Sequence, residues 1–172
     1  MARVVWILLC SLLAAGIELV VGGYGLCLPV FAAVAFCLLV AQGVRLSLPW
    51  LVLAGAVLDL SYARALPAQA VLLVLLALLA AAWRRHGDCL YPLAQILPGI
   101  AVGGLSGAVL VLLVSLPGLA PGWGTVRQQG WILLQGIGGG AVLTPFAMAL
   151  LDGGARRLGL PLYARARNRR EE

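Results

Sequence analysis

No lysine occurs in the 172 residues, and only 10% of the chain is charged. A water-soluble domain of this size needs far more charge to cover its exterior, so that class is excluded. Histidine is present once, as His86, and acidic residues number six. There is no His-Glu-x-x-His pair, no Gly-x-Ser-x-Gly elbow and no phosphate-cradling glycine loop, which removes the common signatures of zinc peptidases, serine hydrolases and P-loop enzymes. The cysteines Cys10, Cys27, Cys37 and Cys89 form no Cys-x-x-Cys pair, and three of them lie in apolar runs. They are expected to be free thiols acting as small hydrophobes, with no disulfide, metal or cofactor implied.

What the chain has instead is apolar residues, at 63% hydrophobic and a mean hydropathy of +1.05. A helix needs roughly 20 such residues to cross a ~30 Å hydrocarbon core. Apolar runs between turn signals predict six transmembrane helices over Arg3 to Val21, Leu26 to Val44, Ser47 to Tyr62, Leu66 to Trp83, Tyr91 to Leu116 and Gly130 to Leu151. The expected fold is an all-α polytopic membrane protein, with residues 1–155 as the six-helix domain and 156–172 as a basic tail. Met1-Ala2-Arg3 ahead of the first run imitates a signal peptide, but no small-residue cleavage site follows, so the run is expected to remain as a helix. Gly22-Gly23-Tyr24-Gly25 reads as a tight hairpin. Ser47 is placed to cap the third helix with Pro49 in its first turn, which makes that helix the short one.

Arginine distribution orients the bundle, because cytoplasmic loops keep their positive charge during insertion. With six spans, Arg3, Arg45, Arg84, Arg85, Arg156, Arg157, Arg165, Arg167, Arg169 and Arg170 share one face, and only Arg64 and Arg127 fall on the other. Both termini are therefore expected in the cytoplasm. The tail arginines are expected to meet anionic lipid rather than nucleic acid. Pro117 to Gln129 reads as the longest outer loop, with Trp123 as an interfacial anchor, and His86 as a solvated residue of the Arg84–Asp88 loop.

Charge inside a span is costly, so each instance calls for a reason. Glu18 and Asp59 both fall toward the outer ends of their helices and are candidates for one shared site, with Arg64 and Arg127 as ion-pair partners. The plainer reading is that the two acids hold the fold. Asp59 and Asp152 fall near opposite faces, on the order of 20 Å apart, which excludes an aspartyl peptidase dyad. Gly99, Gly103 and Gly107 recur every four residues in the fifth helix, and Gly136 and Gly140 repeat the spacing in the sixth. Such stripes admit a close backbone. They serve either the contact between helices five and six or a groove for a partner's helix.

The run Leu53-Ala54-Gly55-Ala56-Val57-Leu58-Asp59-Leu60-Ser61-Tyr62, the arginine-containing turn after it and the leucine-rich segment to Trp83-Arg84-Arg85 together resemble the rod-shape-determining membrane protein family MreD. Leu143-Thr144-Pro145-Phe146 leading to Asp152 and Arg156-Arg157 is similar to that family's last span. Ala65-Leu66-Pro67 departs from the glycine expected in the turn. The resemblance implies a non-enzymatic scaffold of the bacterial elongation machinery. It would bind the bitopic protein MreC, within a larger complex containing RodA and a class B penicillin-binding protein, and support rod shape and lateral peptidoglycan synthesis. It also implies a fold similar to the S-components of energy-coupling-factor vitamin transporters, and capture of a vitamin by such a subunit is the alternative function. Helices four and five lack the convergent aromatic and polar groups that an S-component would want.

Overall fold

A computed structural model describes residues 1–62, 67–87, 92–114 and 123–163. These residues form six α-helices, α1 (Ala2–Gly23), α2 (Val30–Gln42), α3 (Val44–Ser61), α4 (Ala68–His86), α5 (Ile96–Val114) and α6 (Trp123–Arg157), with a 3-10 turn at Pro92–Gln95 and no strand. The chain is an all-α polytopic membrane protein. Four helices are long and apolar enough to cross a membrane, and α2 and α5 are shorter apolar helices.

The second helix, not the third, is the short one. Pro29 stands at its N-cap, and Gly43 ends it after 13 residues. Gly43 has φ +92° and ψ 148°. That backbone geometry is open essentially to glycine alone. It lets α3 begin at Val44 after a single connecting residue. Helix α3 therefore starts three residues before the expected Ser47, and Pro49 sits in its second turn rather than its first. Ser47 caps nothing there. Its hydroxyl donates to the Leu38 carbonyl of α2 at 3.3 Å, tying the two helices beside their turn.

Helix α2 is also the centre of the bundle. It touches all five other helices, and Phe31, Ala32, Ala33, Ala35, Phe36, Cys37, Leu38, Leu39 and Val40 are buried. A 13-residue apolar helix spans only about 20 Å. That length suits a core element better than a lipid-facing one. The surrounding helices turn large apolar side chains outward: Leu60 is 79% exposed, Val142 69% and Phe146 59%. Ser47, Gln69, Gln95 and Thr144 are buried. This inverted pattern, apolar perimeter and polar interior ties, is what a bilayer solvent selects.

Successive helices alternate in direction. At one end Trp6 of α1 lies over Gly154 of α6, and the Arg84 guanidinium of α4 lies 3.5 Å from the point where a Cβ on Gly43 would sit. Arg3, Arg45, Arg85, Arg156 and Arg157 belong to the same, basic end. At the opposite end Tyr62 covers Gly22, and Gly139 of α6 packs on Leu28 and Pro29. Helix α6 runs for 35 residues, about 52 Å. It takes in residues 123–129, which the sequence assigned to a loop, and Trp123 is its first residue. Pro145 lies in its interior. Neighbouring helices in a membrane tolerate such a break.

Candidate functional site

The two intramembrane acids turn out to do the same thing at the same end of the bundle. Helices α2 and α4 both begin after a proline, Pro29 and Pro67, whose side chains supply no cap. The first amides of a helix have no partner within it and carry the positive end of its dipole. In each case the preceding helix supplies a carboxylate. Glu18 Oε2 of α1 accepts the Phe31 N–H at 2.7 Å, and Asp59 Oδ2 of α3 accepts the Gln69 N–H at 3.0 Å. Phe31 and Gln69 are each the second residue of the helix they start. Each carboxyl group thus takes the acceptor role that a capping side chain of the helix itself would otherwise fill.

Glu18 and Asp59 are linked through Tyr62, three residues beyond Asp59, whose hydroxyl donates to the Glu18 carbonyl at 3.2 Å. Glu18 is half-buried and Asp59 is 7% exposed. The ends of α1, α2, α3 and α4 are thereby joined through one polar assembly. Cys27 adds α6 to it by donating its N–H to Gln135 Oε1 at 3.0 Å. Of the expected ion-pair partners, Arg64 lies outside the described residues, and Arg127 is exposed in α6 beside Gln128 and Trp131.

A third carboxylate works at the basic end, and sequence reasoning did not assign it a role. Asp152 Oδ1 accepts the Tyr163 N–H at 2.6 Å. The Tyr163 hydroxyl donates to Gln95 Oε1, and both residues are fully buried. Only the fold brings residues 95, 152 and 163 together, although an aspartate inside an apolar run was a signal available from the start. Asp59 and Asp152 serve separate backbone amides at opposite ends of the molecule.

The five striped glycines face one another. A Cβ on Gly103 would strike the Gly136 carbonyl, and one on Gly99 would strike the carbonyl of Gly140. From the other side, a Cβ on Gly136 would lie 2.7 Å from the Gly103 oxygen, and one on Gly107 would lie 3.3 Å from the Leu133 Cα. These glycines form the α5–α6 contact, the helix-packing alternative of the two, and α6 covers the strip that a partner's helix would have used. Gly138 is different: it is exposed with nothing nearby.

An unfilled apolar surface lies elsewhere, between α1 and α6. Trp6, Cys10, Leu13 and Ile17 of α1 form one wall and Leu143, Phe146, Leu150 and Leu151 of α6 the other, over a floor of Val30, Ala33 and Val34 from α2. This groove of about 280 Å³ follows the helix axes from the basic end toward the acid-capped end. Cys10, Cys27 and Cys37 are free thiols, while Cys89 lies outside the described residues. Among the described residues no cluster of three His, Cys, Asp or Glu side chains could hold a metal. His86 closes α4 and is exposed, its Nδ1 3.3 Å from the Ala82 carbonyl. Arg156 and Arg157 are exposed at the end of α6, and Arg165, Arg167, Arg169 and Arg170 lie outside the described residues.

No family model matches the chain, and neither a curated protein nor a solved structure is significantly similar to it.

Proposed function

We propose that this chain is a non-enzymatic scaffold of the MreD kind, serving the bacterial cell-elongation machinery from the inner membrane with both termini in the cytoplasm. In this reading it docks the transmembrane helix of a bitopic partner, MreC, and through it supports RodA, a class B penicillin-binding protein and lateral wall growth. The observation that carries the reading is the α1–α2–α6 groove, whose thirteen lining residues include no charged side chain. A helix packs into such a surface by van der Waals contact and shape, the forces available between helices in lipid. A polar substrate would find nothing there to orient it. Glu18 and Asp59, the acids best placed to bind a ligand, are engaged as helix caps. The resemblance over residues 51–85 falls on α3 and α4, with Asp59 as the residue that joins them.

Site-specific photocrosslinking in bacterial membranes tests this. Probes at Leu13 and Phe146, 58% and 59% exposed on the groove walls, should capture a single-span protein identified as MreC, while one at Leu78 of α4, 65% exposed, should not. Capture of lipid alone at all three positions, or co-purification with a transporter ATPase and a bound vitamin, would defeat the scaffold and favour the S-component alternative.

A further inference from the structure

A second recess, separate from the groove, opens at the basic end. It measures about 360 Å³ and is walled by Gln42, Gly43, Arg45, Leu46, Ala81 and Arg84. Four features of it converge on one chemistry. Arg45 and Arg84 bring two guanidinium groups, and among the described residues no carboxylate lines the recess. Helix α3 starts here, and its first helical bond is Ser47 N–H to the Gly43 carbonyl at 3.1 Å, so the amides of residues 44–46 precede the ladder. Those amides and the helix dipole favour an anion. The Arg84 Nε is buried and has no acceptor among the described residues. Gln42 donates through Nε2 to the Pro161 carbonyl at 3.2 Å, and its buried Oε1 has no donor among the described residues.

Buried polar atoms without partners are rare because each one forfeits its solvation. Here an orphan donor and an orphan acceptor belong to side chains that line a cavity already carrying two cations. A ligand in the recess toward which these two side chains turn, accepting from Arg84 Nε and donating to Gln42 Oε1, would satisfy both. We infer that this recess binds a phosphate group bearing a hydroxyl, held by Arg45, Arg84 and the first amides of α3. Guanidinium groups suit it because their forked donors match phosphate oxygens. The recess sits at the ends of membrane-spanning helices, where an anionic phospholipid such as phosphatidylglycerol presents that chemistry. Free hydrogen phosphate presents it too.

The two sources separate experimentally. Full-length protein in mild detergent is titrated with phosphatidylglycerol, phosphatidylcholine or inorganic phosphate, and bound species are read by native mass spectrometry. Phosphatidylglycerol should be retained and phosphatidylcholine lost. Arg45→Gln and Arg84→Gln should each weaken retention about tenfold, while Arg156→Gln/Arg157→Gln, which removes two charges from the same end, should leave it unchanged. Arg45 is exposed, so its variant reports on binding without threatening the fold. Binding of inorganic phosphate alone, with the same dependence on Arg45 and Arg84, would support the site and make its ligand soluble. Equal retention of phosphatidylcholine would overturn the proposal. So would a loss in the Arg156/Arg157 control as large as that in Arg45→Gln, because attraction would then be spread over the whole basic end.

Discussion

The four N-terminal helices and the α5–α6 hairpin are held together by different means. In α1–α4, side-chain groups do the joining: Glu18 and Asp59 cap the helices that follow them, Tyr62 bridges α3 to α1, and Ser47 bridges α3 to α2. In α5–α6 side chains are removed, and backbone meets backbone at Gly99, Gly103, Gly136 and Gly140. Lipid supplies no hydrophobic drive between helices, so cohesion comes either from polar bonds shielded from water or from closeness of approach. This protein uses polar bonds among α1–α4 and closeness at the α5–α6 contact, where Asp152, Tyr163 and Gln95 add a buried polar tie at the basic end. The polar ties fix which ends meet, whereas the glycine contact fixes how near two axes lie.

The largest effect is expected where that contact is least forgiving. Gly103→Leu places a branched side chain against the Gly136 carbonyl and should destabilise by more than about 3 kcal/mol. Thermal unfolding in detergent would show it, and a near-native midpoint would mean that the hairpin can re-register. Next comes Asp59→Ala, which strips a buried amide of its acceptor and should cost about 1–3 kcal/mol. Asp59→Asn, which keeps an acceptor oxygen without the charge, should recover part of that loss. If Asn and Ala lower the midpoint equally, then ionisation rather than the hydrogen bond carries the cap. Glu18→Ala should cost less, about 1 kcal/mol, because Glu18 is only half-buried and water can reach the freed amide. Gly138→Ala sharpens the contrast from the other side. With nothing within 4 Å, it should be neutral or raise stability by up to about 1 kcal/mol through helix propensity. Destabilisation there as great as at Gly103 would show that glycine content, not the contact, is what α6 needs.

Much of this arrangement could be read from the chain. Run length and hydropathy placed six helices, and arginine spacing put Arg3, Arg45, Arg84 and Arg157 together at one end, since both signals are local and additive. The glycine periodicity correctly marked a close approach, but spacing cannot name the helix that approaches. Boundaries failed where a turn depended on one residue's backbone: Gly43 permits a single-residue connection, so α3 starts early and α2 ends early. The start of α6 was missed for the opposite reason, because Gly and Pro around residues 117–124 outweighed the helical segment that follows them. Glu18 and Asp59 stood out as charges in apolar runs. Their role did not, since it is set by prolines 29 and 67, which deny both later helices a cap of their own. The groove was invisible, being made by residues of α1, α2 and α6 with no common motif.

The carboxylate caps also bear on how the chain enters its membrane. Synthesis delivers each acid before the amide that satisfies it: Glu18 precedes Phe31 by 13 residues and Asp59 precedes Gln69 by 10. A lone α1 or α3 would lack the Phe31 or Gln69 amide that its carboxyl group accepts from. The smallest segment in which each of these bonds can close is a pair of helices, α1 with α2 and α3 with α4. The caps thus make the helical hairpin, rather than the single span, the unit in which these two ties are complete.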